Sequence, residues 1–126
     1  MSIMEEGIEG EKKARSFLRT KGIFNMQQID WLIKKDGKYC IVEVKEKELY
    51  NPPPFFGTGL DIKQIKLRTQ IYNDLNIDTI LLVFIKNTSR IYYQYLSILE
   101  RTDYFDTKNG IRIYNINAFK LNEETI

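Results

Sequence analysis

Two acids and a lysine, Asp30, Glu43 and Lys45, have the types and the spacing to hold a cation beside a fixed positive charge. They lie on either side of Asp36-Gly37, the dipeptide that most strongly favours a two-residue hairpin turn. With Asp36 and Gly37 as the turn, Lys35 pairs with Lys38, and counting outward sets Asp30 opposite Glu43. Opposed residues of an antiparallel pair leave the same face with Cβ atoms about 5 Å apart. Lys45, two residues beyond Glu43, leaves that face as well. Two carboxylates so placed repel each other unless a cation lies between them. A divalent ion resolves the conflict, because hard cations such as magnesium take carboxylate, carbonyl and water oxygens. The competing reading is a solvated strand edge on which both acids pair with nearby lysines. The apolar run Ile41-Val42-Glu43-Val44 favours the metal, since a charge inside such a run is costly without a partner.

The composition narrows the chemistry. There is no histidine and one cysteine, Cys40, which excludes zinc fingers, zinc catalysis, iron–sulfur ligation and histidine-based nucleophilic triads. Any metal here takes oxygen ligands. Cys40 alternates onto the face opposite Glu43 and reads as a small buried hydrophobe. At 126 residues, 43% of them hydrophobic, the chain is expected to form one domain spanning 1–126. No apolar run approaches the length of a membrane span and the start lacks a signal-peptide layout, so the expected setting is cytoplasmic, with no membrane partner. A net charge of +2 says little, but its distribution says more. Lys12, Lys13, Arg15, Arg19 and Lys21 load one predicted helix, and Lys63, Lys66 and Arg68 load another. Such stripes either contact phosphates on both sides of an acidic cleft or form solvated outer faces.

The elements that must position these groups follow from periodicity. Residues 4–21 read as a helix, acids early and bases late, with Gly22 as its stop. Ile8, Glu11, Ala14, Phe17 and Leu18 fall near one stripe, so Glu11 is expected to point toward the sheet. Its alternatives are an ion pair with Arg15, or Glu9 as the functional acid, although Glu9 sits beside Lys12 and Lys13 and reads as exposed. Gly7 and Gly10 are expected to mark close backbone approach. Strands are predicted over 27–35 and 38–47. Residues 48–60, with three prolines and two glycines, are expected to have no regular structure, and Phe55 and Phe56 there either stack on bases or staple the loop to the domain. Asp61 reads as the N-cap of a helix ending near 75, with Ile62, Ile65, Leu67, Ile71, Tyr72 and Leu75 as its apolar face. The continuous apolar run 79–85 predicts a strand covered on both faces and parallel to the 38–47 strand. A strand over 90–95, a short helix over 97–101, polar turns over 103–109, an edge strand over 110–116 and a fraying end complete the chain.

Asp30 followed by Glu43-Val44-Lys45 resembles the signature of the PD-(D/E)XK, restriction-endonuclease-like nucleases, with Ile29 where those proteins usually have proline. The segment Gly7-Ile8-Glu9-Gly10-Glu11-Lys12-Lys13-Ala14, then Phe17-Leu18 and Gly22, is similar to the opening helix of small Holliday junction resolvase-type members. The resemblance spans about the first two-thirds of the chain. It implies an α/β fold, an α-β-β-α-β-β core with a small mixed central sheet flanked by helices. It also implies a metal site of Asp30, Glu43, the Val44 carbonyl and Glu11, taking Mg2+ with Mn2+ able to substitute. Lys45 is then the lysine that orients water and steadies charge at the phosphate. Gln64, or Lys66, is the residue of the later helix that assists. The expected activity is metal-dependent hydrolysis of DNA phosphodiesters, selective for branched or junction structure, in a homodimer whose two sites make two nicks. The alternative is a nucleic-acid-binding module or subunit that keeps the fold without cutting.

Overall fold

The computed structural model describes residues 3–51 and 55–123, and Pro52, Pro53 and Pro54 of the proline-rich segment lie outside them. The chain opens with helix α1 (Ile3–Thr20). Gly22, at φ 82°, closes that helix by donating to the Arg19 carbonyl at 3.0 Å. The hairpin β1 (Trp31–Lys35) and β2 (Lys38–Lys47) follows. Its turn residues Asp36 and Gly37 have φ of 52° and 79°, the left-handed pair that a two-residue hairpin turn requires. Next come β3 (Gly57–Asp61), α2 (Ile62–Leu75), β4 (Thr79–Ile85) and β5 (Arg90–Tyr95). The chain continues through α3 (Leu96–Leu99), β6 (Tyr104–Asp106), β7 (Ile111–Asn115), a 3-10 turn (Ile116–Ala118) and β8 (Lys120–Glu123).

The strands form two sheets. The larger runs β1-β2-β4-β5-β8 and is mixed: β2 and β4 are parallel, with Glu43 beside Leu81, and the other pairs are antiparallel. The smaller, β3-β7-β6, is antiparallel. Helices α2 and α3 pack on one face of the larger sheet. Ile65, Leu81, Val83, Ile85, Tyr92, Leu96 and Leu99 meet Leu60 and Tyr114 of the smaller sheet in one hydrophobic core. The sheets are stitched at the end of β2, where Lys47 Nζ donates to the Gly59 carbonyl at 2.9 Å and Tyr50 exchanges backbone bonds with Gly57. Burial pushes the Lys47 ammonium below its ordinary pKa, nearby Lys45 adds to the fall, and Asp61 opposes it.

Several expectations need correction. Residues 57–61 are a strand, because Gly57 and Gly59 let β3 lie against β7 where a side chain could not. A Cβ on Gly59 would sit 1.6 Å from the Arg112 carbonyl oxygen, and one on Gly57 2.2 Å from that of Tyr114. Residues 104–106 form β6 within the predicted turn region. Strand β7 is central in its sheet, not an edge, and residues 120–123 pair with β5 instead of fraying. Nothing lies within 4 Å of a Cβ built on Gly7 or Gly10, so neither marks a close approach. The 79–85 strand is buried on its core face only: Ile80 and Leu82 on the other face are half-buried and Phe84 is exposed. On α2, Leu67, Tyr72 and Leu75 are exposed, and the buried positions are Ile65 and Arg68.

Candidate active site

The β1–β2 register has the offset expected from the sequence: Lys35 faces Lys38 and Trp31 faces Val42. Asp30 stands one residue before the last pair, which projects it across from Glu43. There its Oδ2 accepts a 2.8 Å hydrogen bond from the Val44 amide, an anchor that fixes the acid against β2. The two carboxylates are near enough for Asp30 to disfavour ionisation of Glu43. Lys45 is half-buried on the same face and, among the described residues, its side chain makes no hydrogen bond or ion pair. Asp30, Glu43 and Lys45 are thus brought together. The Cys40 side chain is buried, as expected.

Glu43 is 2% exposed, and its partners come from α2. Gln64 Nε2 donates to Oε2 at 2.9 Å. Arg68, also 2% exposed, donates from Nε to Oε1 at 2.6 Å, and its NH2 forms an ion pair with the same oxygen. The guanidinium is held in turn by the segment that delivers Asp30: NH1 donates to Gln27 Oε1 at 2.5 Å and NH2 to the Gln28 carbonyl at 2.6 Å. One arginine therefore ties α2, β2 and the lead into β1 together. Burial pushes the Glu43 carboxyl above its ordinary value near 4.5, against the charge and hydrogen bond of Arg68. Asp30 adds to the rise and Lys45 opposes it.

Arg68 was expected on a basic stripe with Lys63 and Lys66 that either contacts phosphates or is solvated; for Arg68 neither holds, because it is buried against Glu43. A signal was present. Arg68 lies four residues from Gln64 and three from Ile65, which puts all three on one helix face. An arginine on that face answers an acid inside an apolar strand. Gln27 escaped notice because its partner is a side chain of α2, 41 residues away in sequence. Lys66 is exposed.

Glu11 does not join the acid pair. It is exposed on α1, where Oε2 accepts from Gln28 Nε2 at 3.0 Å, and no group of three or more acidic, histidine or cysteine side chains among the described residues could hold a metal. The apolar stripe of α1 is exposed too: Ile8 and Phe17 face outward and only Leu18 is half-buried. In the 48–60 segment, Phe55 packs edge-on against Phe105, with ring centroids 5.3 Å apart, and Tyr50 covers the same ring. Phe56 is 56% exposed.

Asp30 and Glu43 put two carboxylates on one face, and Glu43 is already held by Arg68 and Gln64. Magnesium binds through one or two carboxylates and completes its octahedron with water. Among the described residues Asp30 Oδ1 accepts no hydrogen bond, and Glu43 Oε2 has a lone pair beyond the one Gln64 uses.

No family model matches this sequence, and no curated protein matches it either. Among solved structures it is similar to Archaeoglobus fulgidus Hjc, a Holliday junction resolvase from an archaeal hyperthermophile, with a TM-score of 0.50 and 10% identity. The alignment covers 77% of this chain and 69% of that one. The chain shares that resolvase's fold. The α/β class expected from the sequence, a mixed central sheet with helices packed on it, is the class observed.

Proposed function

We propose that this chain is a divalent-metal-dependent DNA endonuclease, selective for branched or junction DNA and acting inside the cell. The observation that carries the reading is the convergence of Asp30, Glu43 and Lys45 on one face of a hairpin within a resolvase-like fold. Asp30, Glu43 and the Val44 carbonyl would hold magnesium or manganese. When bound, the ion neutralises the phosphate and acidifies water. Asp30 is steadied by the Val44 amide, so its free oxygen keeps a fixed direction. Lys45, without a protein partner among the described residues, is available to the attacking water and to charge developing on the phosphate. Gln64, whose Nε2 donates to Glu43 Oε2, would hold that acid in place. The exposed Lys12, Lys13, Arg15 and Arg19 of α1, with Lys21 just after it, would supply phosphate contacts.

A homodimer would place two such sites on one junction. Supporting it, large apolar side chains lie on the surface: Phe17, Phe24, Trp31 and Phe84 are exposed.

The test is cleavage of linear, single-stranded, nicked and four-way-junction DNA with magnesium, manganese or chelator. Asp30→Ala and Lys45→Ala should abolish cutting while leaving the circular dichroism spectrum and DNA binding in place. Full magnesium-dependent cleavage by Lys45→Ala would remove the basis of the assignment. One observation favours a second reading, a nucleic-acid-binding module that retains the fold: Glu43 already has a cation in Arg68, and no third acid joins it. Junction binding without cleavage under every metal would select that reading.

A further inference from the structure

We propose that the cleft between α2 and α3 binds a nucleoside monophosphate, with the base in the cleft and the phosphate on Arg101 and the hairpin lysines at its rim. The proposal uses neither Asp30, Glu43 nor Lys45, so it stands independently of the metal-dependent reading.

The cleft has a volume of about 380 Å³, within the span of roughly 300–1,000 Å³ typical of small-molecule sites. Thr79, the first residue of β4, lies at its base. Alternation along the strand puts Thr79 on the same side as the buried Leu81 and Val83, the side on which α2 and α3 pack. Its side chain is 1% exposed, and Oγ1 has no hydrogen-bond partner among the described residues. A buried hydroxyl left without a partner destabilises a fold, and such groups are rare enough that each demands a physical reason. A ligand in the cleft supplies one.

The surrounding groups say what that ligand is. Asp78 already accepts from the Thr79 and Ser97 amides and from the Ser97 hydroxyl, and Glu100 from Arg112 and Tyr114. Arg68 borders the cleft, but its guanidinium is engaged by Glu43, Gln27 and Gln28. The Thr69 hydroxyl and the Asn73 carboxamide, by contrast, have no partner among the described residues and line the cleft with Thr79. Hydroxyls and carboxamides both donate and accept, which matches the mixed donors and acceptors along the edge of a nucleobase. Tyr72, 38% exposed, and Leu96 offer an aromatic and an aliphatic wall for a planar ring.

The rim is cationic. Arg101 donates from Nε to the Ser97 carbonyl at 3.1 Å, and its other two nitrogens have no partner among the described residues. Beyond Arg101 the cleft runs into an adjoining cavity of about 430 Å³, bordered by Lys35 and Lys38, which face each other across the hairpin. Neither lysine has an acidic partner among the described residues, and Asp36 between them leaves the rim net positive. Guanidinium and ammonium groups are the usual donors to phosphate. Inorganic phosphate satisfies the rim alone and a nucleoside the cleft alone; a nucleoside monophosphate spans both.

The experiment is calorimetric titration of the full chain with AMP, UMP, adenosine, uridine and inorganic phosphate, with chelator present so that no metal contributes. At least one nucleotide is expected to bind about tenfold more tightly than its nucleoside and than phosphate, the scale of one hydrogen bond to a charged group. Arg101→Gln should remove that advantage and leave nucleoside binding unchanged. Thr79→Val should weaken nucleotide and nucleoside alike while Tm holds or rises, because the hydroxyl it removes has no partner in the fold. A fall in Tm for Thr79→Val would place that hydroxyl in a bond within the fold and overturn the inference. So would absence of nucleotide binding by the wild type, nucleotide binding no tighter than phosphate, or binding that neither variant alters. Each of those failures leaves the metal-dependent reading as it was, since DNA cleavage is measured separately.

Discussion

Replacing Arg68 with methionine removes the guanidinium and keeps much of its length. Glu43 is then left in the core end of β2, 2% exposed, with the single hydrogen bond from Gln64 and with Lys45 nearby. Breaking one side of a buried ion pair costs about 3–5 kcal/mol, because the stranded charge keeps its desolvation penalty. The carbonyl oxygens of Gln27 and Gln28 lose their donor too, so the upper part of that range is expected. Against a total stability of about 5–15 kcal/mol this is a large share. It corresponds to a fall in Tm of roughly 10–20 °C for a chain of this size. Urea denaturation followed by circular dichroism measures it directly. The double variant Arg68→Met/Glu43→Leu then isolates the pair: with both charges gone, at least about 2 kcal/mol of the loss should return. A single variant costing less than about 1 kcal/mol would refute the reasoning, because it would mean that Glu43 reaches water or another cation once Arg68 is gone.

Three further outcomes are expected. Gly59→Ala forces a Cβ into the Arg112 carbonyl and should cost about 3 kcal/mol, at the upper end of overpacking, as measured by urea titration. Asp61→Ala removes the acceptor that caps the Lys63 amide at 2.8 Å and should cost about 1 kcal/mol; an unchanged Tm would show that the cap is idle. The pH dependence follows from Glu43, whose carboxyl is raised above its ordinary value by burial. Between the ordinary value near 4.5 and the raised one the folded chain holds a proton that the unfolded chain has released, so stability falls as pH rises through that window. Glu43→Gln should be less stable overall yet flatter across those pH values, and a slope equal to that of the wild type would contradict the assignment.

Local signals in the chain were enough for much of the architecture. Asp36-Gly37 set the hairpin and its register, and with them the shared face of Asp30, Glu43 and Lys45. The apolar run 79–85 and its parallel pairing with β2 were legible because a buried strand needs continuous hydrophobicity and a crossover of this length imposes direction. Asp61 announced the start of α2 through its capping chemistry. Strands β3, β6 and β8 were not legible. Each has only three to five residues; β3 and β8 exist because a distant strand supplies their hydrogen bonds, and β6 because β7, the next strand, folds back on it. The glycines that argued against a strand at 57–61 are what permit β7 to approach.

The amino-acid sequence by itself determined which groups could do chemistry and which of them share the hairpin face, since alternation along a strand and a two-residue turn are local rules. It did not determine what neutralises Glu43. Arg68 lies 25 residues further along the chain, and its rank among surface basic residues changed only when α2 packed on β2 and excluded water from both charges. Tertiary packing likewise left Glu11 with Gln28 and apart from the acids. Pairings of that kind depend on which faces meet across the core, and no periodicity within one element encodes it.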